Sequence, residues 1–511
     1  MELRLIRENM ETEQIISAKP TQATVETEVA LPGGLREEAR VYYADAQVTV
    51  NGGEMTGSRV SADGRVTFHV LYAQGDLAHV KVIEVPADFT QSLPLKEENA
   101  AAAAVRLTPR AEVQHASAKA FNGRLLLRAI VLLTAEAALP RTVSFVRDVE
   151  EDGSIQRATQ TLAMQRTVGE GEGQTLLREE FDLSDVLQIK NTLYAAGQAQ
   201  VEDILGGADG KVTVTGTIAI EAYHTSDMPG RPLVYTRHLM PYEQTVALSG
   251  ALGDAMAASS TVRDVAVLSQ ENEDGSRIMR AEVQLSSAVT AVESQEMTVL
   301  RDLFTTEGQD VETAREQVTF RNGTVNGQAA ESGRSVMILP EGLPRVKTAL
   351  LGFLRPVLVK AERQNGRLIA DGILSSALIY LTDDSDVPLS VEQEMPFHAA
   401  FAFDAGPEDA LSLSTVQVEP TPITGDRVEF KYILRLTAQG VRKGEASVIT
   451  DAEAADTAPA EKGIALCFVQ PGETLWDIAK RYRVSLEEIR QLNPQITGEA
   501  AVGMPVIAYK R

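Results

Sequence analysis

One long pattern occurs three times in the first 445 residues of this 511-residue chain. The copies start at Gly64, Gly210 and Gly366, and each has a basic residue next, then an alternating strand ending near a Tyr, a polar turn, and a Pro followed by an aromatic residue. The intervals are 146 and 156 residues, far above the roughly 20 to 50 residues of a solenoid repeat. The pattern therefore predicts tandem domains.

A second turn marker supports this interpretation. A turn followed by another strand occurs at residues 122–124, 274–276 and 425–427, and its Gly lies 59, 65 and 59 residues after the first Gly of each copy. Two markers that keep their spacing indicate that one ancestral unit was copied twice.

Within each copy, apolar and polar residues alternate with a period of two, which places the apolar set on one face of a half-buried strand. Such strands, separated by Asp-Gly and Asn-Gly turns, predict a mainly β fold of antiparallel sheets packed as β-sandwiches. One or two short helices are also expected, with Leu183 to Leu193 as the candidate segment. The alternating apolar positions are Val66, Phe68, Val70 and Tyr72 in the first copy, Val212, Val214, Gly216, Ile218 and Ile220 in the second, and Leu368, Ala370, Gly372 and Leu374 in the third.

The chain divides into five predicted segments. The segment from Gly444 to Gly463 is rich in Ala, Asp and Glu and has no large aromatic residue, so we expect a flexible acidic linker that lets the C-terminal segment move independently. The predicted segments are 1–150 (a divergent first β unit), 151–305 (the second unit), 306–443 (the third unit), 444–463 (the linker) and 464–511 (a small C-terminal domain).

Charge argues against two classes of partner. The net charge is -24, which repels the phosphate backbone of nucleic acid and an anionic membrane surface. Residues 464–511 carry about +1, so the remaining chain carries about -25. We therefore expect no nucleic acid partner, and the C-terminal segment is electrostatically distinct.

The sequence favours a reducing compartment. Cys467 is the only cysteine, so no intramolecular disulfide can form. The first residues have no apolar stretch of the kind a secretory signal needs. No run approaches the roughly 20 apolar residues of a transmembrane helix. We expect a cytoplasmic protein without a transmembrane segment.

We looked for catalytic and metal-binding patterns and found none that would predict an enzyme. The chain has no phosphate-binding loop, no nucleophile elbow and no zinc-type pairing of His and Cys. We therefore expect no catalytic activity, no cofactor and no metal. The six histidines are dispersed: His69, His79, His115, His224, His238 and His398.

The C-terminal segment is predicted to be a strand, two short helices and a strand. Thr474 precedes Asp477 by three residues, and Ser485 precedes Glu488 by three, so each pair predicts a capping box at a helix start. Asn493-Pro494 ends the second helix. The helices are short, so we expect their stability to come from packing on the two strands.

This segment closely resembles the LysM domain family. The residues that carry the resemblance are VQPGETLWDIAKRY from Val469, VSLEEIRQLNP from Val484, and the Gly and Val-Ile of GMPVI from Gly503. In that family a glycan lies in a groove between the strand-to-helix turn and the loop after the second helix. The resemblance implies a groove with Gly472, Glu473, Thr474 and Leu475 on one side and Asn493, Pro494, Gln495 and Ile496 on the other.

Much of the same motif is scaffold. Gly472 permits the turn, Thr474 caps the helix, and Leu475 fills the core, so only part of the motif needs to specify a ligand. Trp476 is the only Trp and adjoins the core face. A partly exposed Trp suits sugar stacking or a protein interface, and a rim residue packed on Tyr482 or the strands is the equal alternative.

Together, the repeats and the LysM-like segment are similar to the SPOCS-domain family of spore-forming Firmicutes, in the arrangement of the SipL-like spore-coat morphogenetic proteins. The segments that carry this resemblance are VEQEMPFHAAFAF from Val391 and TRHLMPYEQTVAL from Thr236. The first copy departs from it, with EVPADFTQSLPL from Glu84.

The resemblance implies a non-enzymatic scaffold for spore coat assembly. Such a protein is made in the mother-cell cytoplasm and gathers on the forespore surface, where its LysM domain binds the coat morphogenetic ATPase SpoIVA. Other coat proteins and self-association are further expected interactions. The alternative is a protein that binds peptidoglycan or chitin oligomers through its LysM domain. A wall hydrolase is a third hypothesis, but nothing in residues 1–445 supplies its catalytic domain.

Overall fold

The structure is a computed structural model of the whole chain. It describes residues 3–32, 38–95, 106–150, 153–182, 187–271, 277–307, 310–403, 405–406, 409–455 and 463–510. The fold is mainly β, with antiparallel pairing between every pair of neighbouring strands described, as expected.

Strand pairing groups the body of the chain into three sets, which we call the first unit (residues 5–149), the second unit (155–305) and the third unit (310–455). The strands of the first unit are β1 (Leu5–Ser17), β2 (Thr21–Ala30), β3 (Ala39–Thr56), β4 (Arg59–Gln74), β5 (Lys81–Pro94), β6 (Arg106–Phe121) and β7 (Arg124–Val149). Those of the second are β8 (Ile155–Asp182), β9 (Ile189–Gly206), β10 (Lys211–Ser226), β11 (Leu233–Ala247), β12 (Ser249–Gly250), β13 (Ala255–Glu271) and β14 (Arg277–Thr305). Those of the third are β15 (Asp310–Ile338), β16 (Thr348–Gln364), β17 (Arg367–Leu381), β18 (Leu389–Phe401), β19 (Ala410–Thr424) and β20 (Arg427–Ala455).

The same topology occurs in all three units. The first strand of a unit pairs with its last strand, and the last strand also pairs with the one before it. A separate three-stranded sheet is formed by β3-β4-β5, β9-β10-β11 and β16-β17-β18. The strands are longer than the sequence pattern indicated, reaching 29 residues in β14, β15 and β20.

Each unit packs its two sheets against each other as a sandwich. In the first unit, Val66 and Phe68 of β4 share a core with Leu127 and Val131 of β7. Equivalent cores lie in the second and third units. The alternating positions predicted from sequence are buried in all three middle strands, except Gly372, which is half-buried. The predicted period of two is therefore confirmed.

In each three-stranded sheet, a glycine of the middle strand faces an aromatic ring of a neighbouring strand. Gly216 pairs with Tyr242, and a Cβ at Gly216 would lie 2.8 Å from the ring and 1.9 Å from a backbone oxygen. Gly372 and Phe397 in the third unit have the same relationship. The first unit has it too, between Gly64 and the ring of Phe89. The first unit therefore keeps the aromatic residue, although its sequence departs from the Met-Pro-aromatic motif.

This pairing corrects the alignment of the first copy. Gly64 is the counterpart of Gly216, so matching it to Gly210 was wrong. The turn glycine of the first unit is Gly57, with φ of 59°, beside 69° at Gly210 and 75° at Gly366. Gly64 is followed directly by a basic residue, as Gly210 and Gly366 are, whereas Ser58 separates Gly57 from Arg59, so the local pattern favoured Gly64. The corrected intervals between turn glycines are 153 and 156 residues.

The three units share two further cores. The long strand pairs β1–β7, β8–β14 and β15–β20 meet through Phe145, Val299 and Val448, among others. A second shared core is aromatic, and there Tyr43 stacks on Phe353 with ring centroids 3.8 Å apart. The units are therefore packed on one another.

Asp45 connects all three units at the edge of the aromatic core. Arg355 of the third unit donates to its carboxylate, and Tyr194 of the second unit donates to the other carboxylate oxygen at 3.1 Å. The side chains of Arg355 and Asp45 are only 19% and 18% exposed, so this ion pair is largely removed from water.

The predicted acidic linker is wrong over residues 444–455. These residues continue β20 and pair with β15, from Gly444 opposite Phe320 to Ala455 opposite Asp310. Small apolar side chains such as Val448 fill the core between the units, so a segment without aromatic residues still buries enough area to be ordered. The remaining linker residues, 456–462, lie outside the described part of the chain.

The helix predicted over Leu183 to Leu193 is also wrong where it can be checked, because Ile189 onward is strand β9. Residues 183–186 are outside the described residues. The C-terminal domain has the predicted order of strand, helix, helix and strand, with β21 at Gly463–Phe468, α1 at Leu475–Tyr482, α2 at Leu486–Leu492 and β22 at Pro505–Lys510. Among the described residues no helix is long and apolar enough to cross a membrane.

Candidate binding site in the C-terminal domain

The first side of the predicted groove is the turn that leads into α1. Gly472 has φ of 80°, a left-handed conformation that favours glycine. The Thr474 hydroxyl accepts the amide of Asp477, and the Asp477 carboxylate accepts the amide of Thr474 at 2.8 Å. Glu473 accepts the amide of Gln470 at 3.0 Å and pairs with Arg481. The predicted capping box is confirmed, and Glu473 serves the turn itself.

The second side follows α2, where the predicted capping box of Ser485 and Glu488 is also confirmed. Asn493 is fully buried. Its side-chain amide donates to the carbonyls of Ile489 and Ile507, at 2.7 and 2.8 Å, and its oxygen accepts the amide of Ile507 at 2.8 Å. Asn493 therefore joins α2 to β22 and has a structural role.

The two sides of the groove meet through their apolar residues. Leu475 and Ile496 are 7% and 8% exposed and belong to one core together with Trp476. Gly472, Thr474, Pro494 and Gln495 are exposed. Of the nine predicted site residues, these four, which we call the rim, are the exposed ones.

Trp476 is buried against the second unit. It is 8% exposed, and its ring packs edge-on against Phe304 with centroids 5.0 Å apart. Its indole N–H donates to a carboxylate oxygen of Asp302 at 2.8 Å. The expectation of a partly exposed Trp is therefore wrong, because the ring packs on strand β14 of the body.

The carboxylate of Asp302 also forms ion pairs with two basic side chains. Lys480 of α1 lies 2.7 Å from its carboxylate, and Arg315 of β15 lies 3.1 Å from it. Burial by itself raises the pKa of the Asp302 carboxyl, but the hydrogen bonds from Lys480 and Trp476 and the nearby charges outweigh burial and hold this pKa below its usual range. The carboxylate is ionised at neutral pH, which strengthens each of these hydrogen bonds.

Two more polar contacts fix the domain on the body. Arg483 pairs with Asp310 at 2.9 Å, and the Lys510 ammonium donates to the carbonyl of Thr306 at 3.2 Å. We call the contacts of Trp476, Lys480, Arg483 and Lys510 with the body the docking contact. The expectation of an independently moving domain is therefore wrong.

Sequence reasoning missed the body residues of the docking contact, namely Asp302, Phe304, Thr306 and Asp310. Asp302, near the end of the second unit, and Asp310, at the start of the third, could have been matched with the basic residues Lys480 and Arg483, but carboxylates are too common in this chain for that signal to be specific. In the described part of the chain, no group of three or more His, Cys, Asp or Glu residues could hold a metal ion.

Comparison with known families gives one match. Residues 469–500 match the LysM domain family. No curated protein and no solved structure matches the chain. The match begins at the residue after β21 and covers both capped helices and the whole predicted groove. Residues 469–500 therefore form a LysM domain.

Proposed function

We propose that this protein is a non-enzymatic binding protein whose LysM domain binds an N-acetylglucosamine-containing glycan, such as peptidoglycan or a chitin oligomer, at the rim. The LysM match supports the ligand class. The observation that carries the proposal is that Gly472, Thr474, Pro494 and Gln495 are exposed, although the domain is fixed on the body. The β units hold the rim in one orientation.

The chemistry of the rim fits a sugar. The turn at Gly472 presents backbone groups without a covering side chain, since nothing lies within 4 Å of where its Cβ would be. Gln495 adds an amide that can both donate and accept hydrogen bonds. Pro494 adds an exposed apolar ring for the less polar face of a sugar. A few directional polar groups beside apolar surface are typical of small-ligand sites.

Calorimetric titration of the full chain with an N-acetylglucosamine pentamer tests this proposal. Gln495→Ala is expected to weaken binding about fivefold, equivalent to one lost hydrogen bond of about 1 kcal/mol. Gln491→Ala is the matched control, because Gln491 is an exposed amide on α2 that bonds only Glu487 at 3.2 Å among the contacts described. Equal affinities for the two variants, or no binding heat from the unmodified chain, would refute the rim site.

A protein-binding scaffold is the second candidate, and the docking contact favours it. One face of this LysM domain already binds protein, with Lys480 and Arg483 on the acidic residues Asp302 and Asp310. On this hypothesis the protein acts in the mother-cell cytoplasm at the forespore surface, as a spore-coat scaffold whose LysM domain binds SpoIVA. The SPOCS-like repeats and the acidic body support it.

A binding assay with purified SpoIVA separates the candidates. The full chain is compared with a chain ending at Ala455, since an end at Gly444 would remove more than a third of the pairing between β20 and β15. Retention of SpoIVA by the full chain and its loss on removing the LysM domain support the scaffold. Equal retention by both chains contradicts docking through LysM.

A further inference from the structure

A cavity of about 220 Å³ lies between the first and third units. The third unit lines it with Ala377 of β17 and with Glu392 and Glu394 of β18, and the first unit lines it with Tyr43 of β3 and Gln114 of β6. The volume is below the roughly 300–1,000 Å³ of sites for drug-sized ligands, which suits one small ring. The cavity lies on the body, apart from the rim and the docking contact.

The two other junctions between units are filled at the corresponding place. Five residues after the glycine that faces the aromatic ring, the first unit has His69, the second has Glu221 and the third has Ala377. His69 is 7% exposed, and its ring lies beside Tyr194 of the second unit with centroids 4.7 Å apart. Glu221 accepts the backbone amide of Gln417 of the third unit at 2.8 Å. Ala377 has no polar side chain to place there.

The junction at His69 shows which polar contact the cavity lacks. His69 lies opposite Glu84 in the strand pairing, and its Nε2 is 3.3 Å from the Glu84 carboxylate. Ala377 lies opposite Glu392, so Glu392 is the counterpart of Glu84. Among the described residues, the carboxylate of Glu392 has no hydrogen bond or ion pair. The cavity therefore has the acceptor of this contact without its N–H donor.

The cavity also has the aromatic wall of that junction. Tyr43 and Tyr194 are counterparts, because each lies opposite the residue seven positions after the glycine. Tyr43 stacks on Phe353, which lies opposite Ala377. Phe353 adds an apolar ring to the junction but no N–H group, so it does not replace the polar contact of His69.

Charge at the cavity favours a cationic ligand. Arg355 lines the cavity, but Asp45 already neutralises it. Glu392 and Glu394 are exposed and leave a negative charge there, which attracts a cation. The ring of Tyr43 offers a further favourable contact, since aromatic faces attract organic cations.

We propose that this cavity binds a small planar organic cation that carries an N–H group, of the imidazolium type. Its N–H donates to the carboxylate of Glu392, and its ring packs beside Tyr43, in the manner of His69 with Glu84 and Tyr194. The ligand therefore bridges the third unit to the first.

Ligand-observed NMR titration of the full chain with imidazole tests the proposal, at about pH 6, where most of this ring is charged. Glu392→Gln is expected to weaken binding about fivefold, as for the loss of one partly exposed ion pair. Glu445→Gln is the matched control, because Glu445 is exposed on β20 of the same unit, and it should bind like the unmodified chain. Thiazole, a ring of the same size without an N–H, should bind at least about fivefold more weakly than imidazole.

A substitution at Ala377 tests the site from the protein side. Ala377→His places an imidazole on β17 where the first unit has His69, so it should fill the cavity and abolish binding, whereas Ala377→Gly should retain it. N-acetylhistidine amide identifies the source of the ring: binding tighter than that of imidazole assigns it to a histidine of a partner protein, and weaker binding assigns it to a free small molecule. No saturable binding to the unmodified chain, equal affinities of Glu392→Gln and Glu445→Gln, or undiminished binding to a folded Ala377→His protein would overturn the proposal.

Discussion

Trp476 and Asp302 are 174 residues apart in the chain, yet the indole N–H of one donates to the carboxylate of the other at 2.8 Å. This contact joins the LysM domain to the end of the second unit. It also removes the only Trp from water. A sugar bound at the rim therefore does not contact Trp476 and is not expected to change its fluorescence. The fluorescence of Trp476 instead shows whether the LysM domain is docked on the body.

Asp302→Ala should release the LysM domain. The change removes the acceptor of Trp476, Lys480 and Arg315, and a hydrogen bond to a charged group contributes about 1.5–3 kcal/mol. The emission of Trp476 is expected to shift to the red and to become easier to quench with acrylamide. Asp384→Ala removes the same charge from an exposed position and should leave the emission unchanged. If Trp476 in the Asp302→Ala variant kept its emission wavelength and its protection from acrylamide, docking would not depend on this carboxylate.

Asp45→Ala should loosen the packing of the three units. The substitution leaves the guanidinium of Arg355 mostly buried without its carboxylate partner. Breaking a buried ion pair in this way lowers the free energy of unfolding by about 3–5 kcal/mol. We expect a clear fall in the midpoint of thermal unfolding, measured by circular dichroism. Asp88→Ala breaks the exposed pair between Arg65 and Asp88, whose side chains are 52% and 69% exposed, and should leave the unfolding midpoint almost unchanged, because water screens such a pair. Similar midpoints for the two variants would contradict a role for Asp45 in joining the units.

Gly372→Ala should destabilise the third unit. An added Cβ would lie 2.1 Å from the carbonyl oxygen of Val357 and 2.6 Å from the ring of Phe397, so the strand or the ring must move. Forced overpacking of this kind typically costs about 1–3 kcal/mol. Gly52→Ala is the control in another strand, because nothing lies within 4 Å of its Cβ position. The contrast is measured by thermal unfolding, and a Gly372→Ala protein as stable as Gly52→Ala would contradict the recurring glycine-aromatic pair.

Glu112→Gln should stabilise the protein at high pH. Burial raises the pKa of the Glu112 carboxyl to about 7, so the folded protein binds this proton more tightly than the unfolded chain. The free-energy penalty for ionising the buried Glu112 is absent below the unfolded pKa and grows as the pH rises to about 7. Above that pH it is fully present, on the order of 3 kcal/mol. The gain from Glu112→Gln in unfolding midpoint should therefore be larger at pH 8 than at pH 5. A gain that is independent of pH would show that burial does not shift this group.

Local patterns predicted those features that local physics determines. The two capping boxes depend on residues three positions apart, and both formed at Thr474 and Ser485. The alternation in the middle strands gave the buried face, since one side of each strand meets the opposite sheet. The LysM motif gave the order of its elements because the whole motif lies within one small domain.

Contacts distant in sequence were beyond such patterns. The burial of Trp476 depends on Asp302 and Phe304, which lie in another unit. Residues 444–455 are ordered as part of β20 because they pack in a core shared by three units. In that core, small apolar side chains such as Val448 are enough to hold the strand in place. Asn493 belongs to the family motif, but only its bonds to Ile507 show that it joins α2 to β22 and is not free to bind a ligand.

Hydrogen exchange of the full chain, with and without an N-acetylglucosamine pentamer, tests the central claim most directly, because it locates a bound glycan on the backbone. The rim site predicts slower exchange in residues 471–475 and 495–497, with no change in β21 or in the three units. Exchange that is unaltered everywhere at saturating sugar, or slowed only outside these two segments, would contradict it.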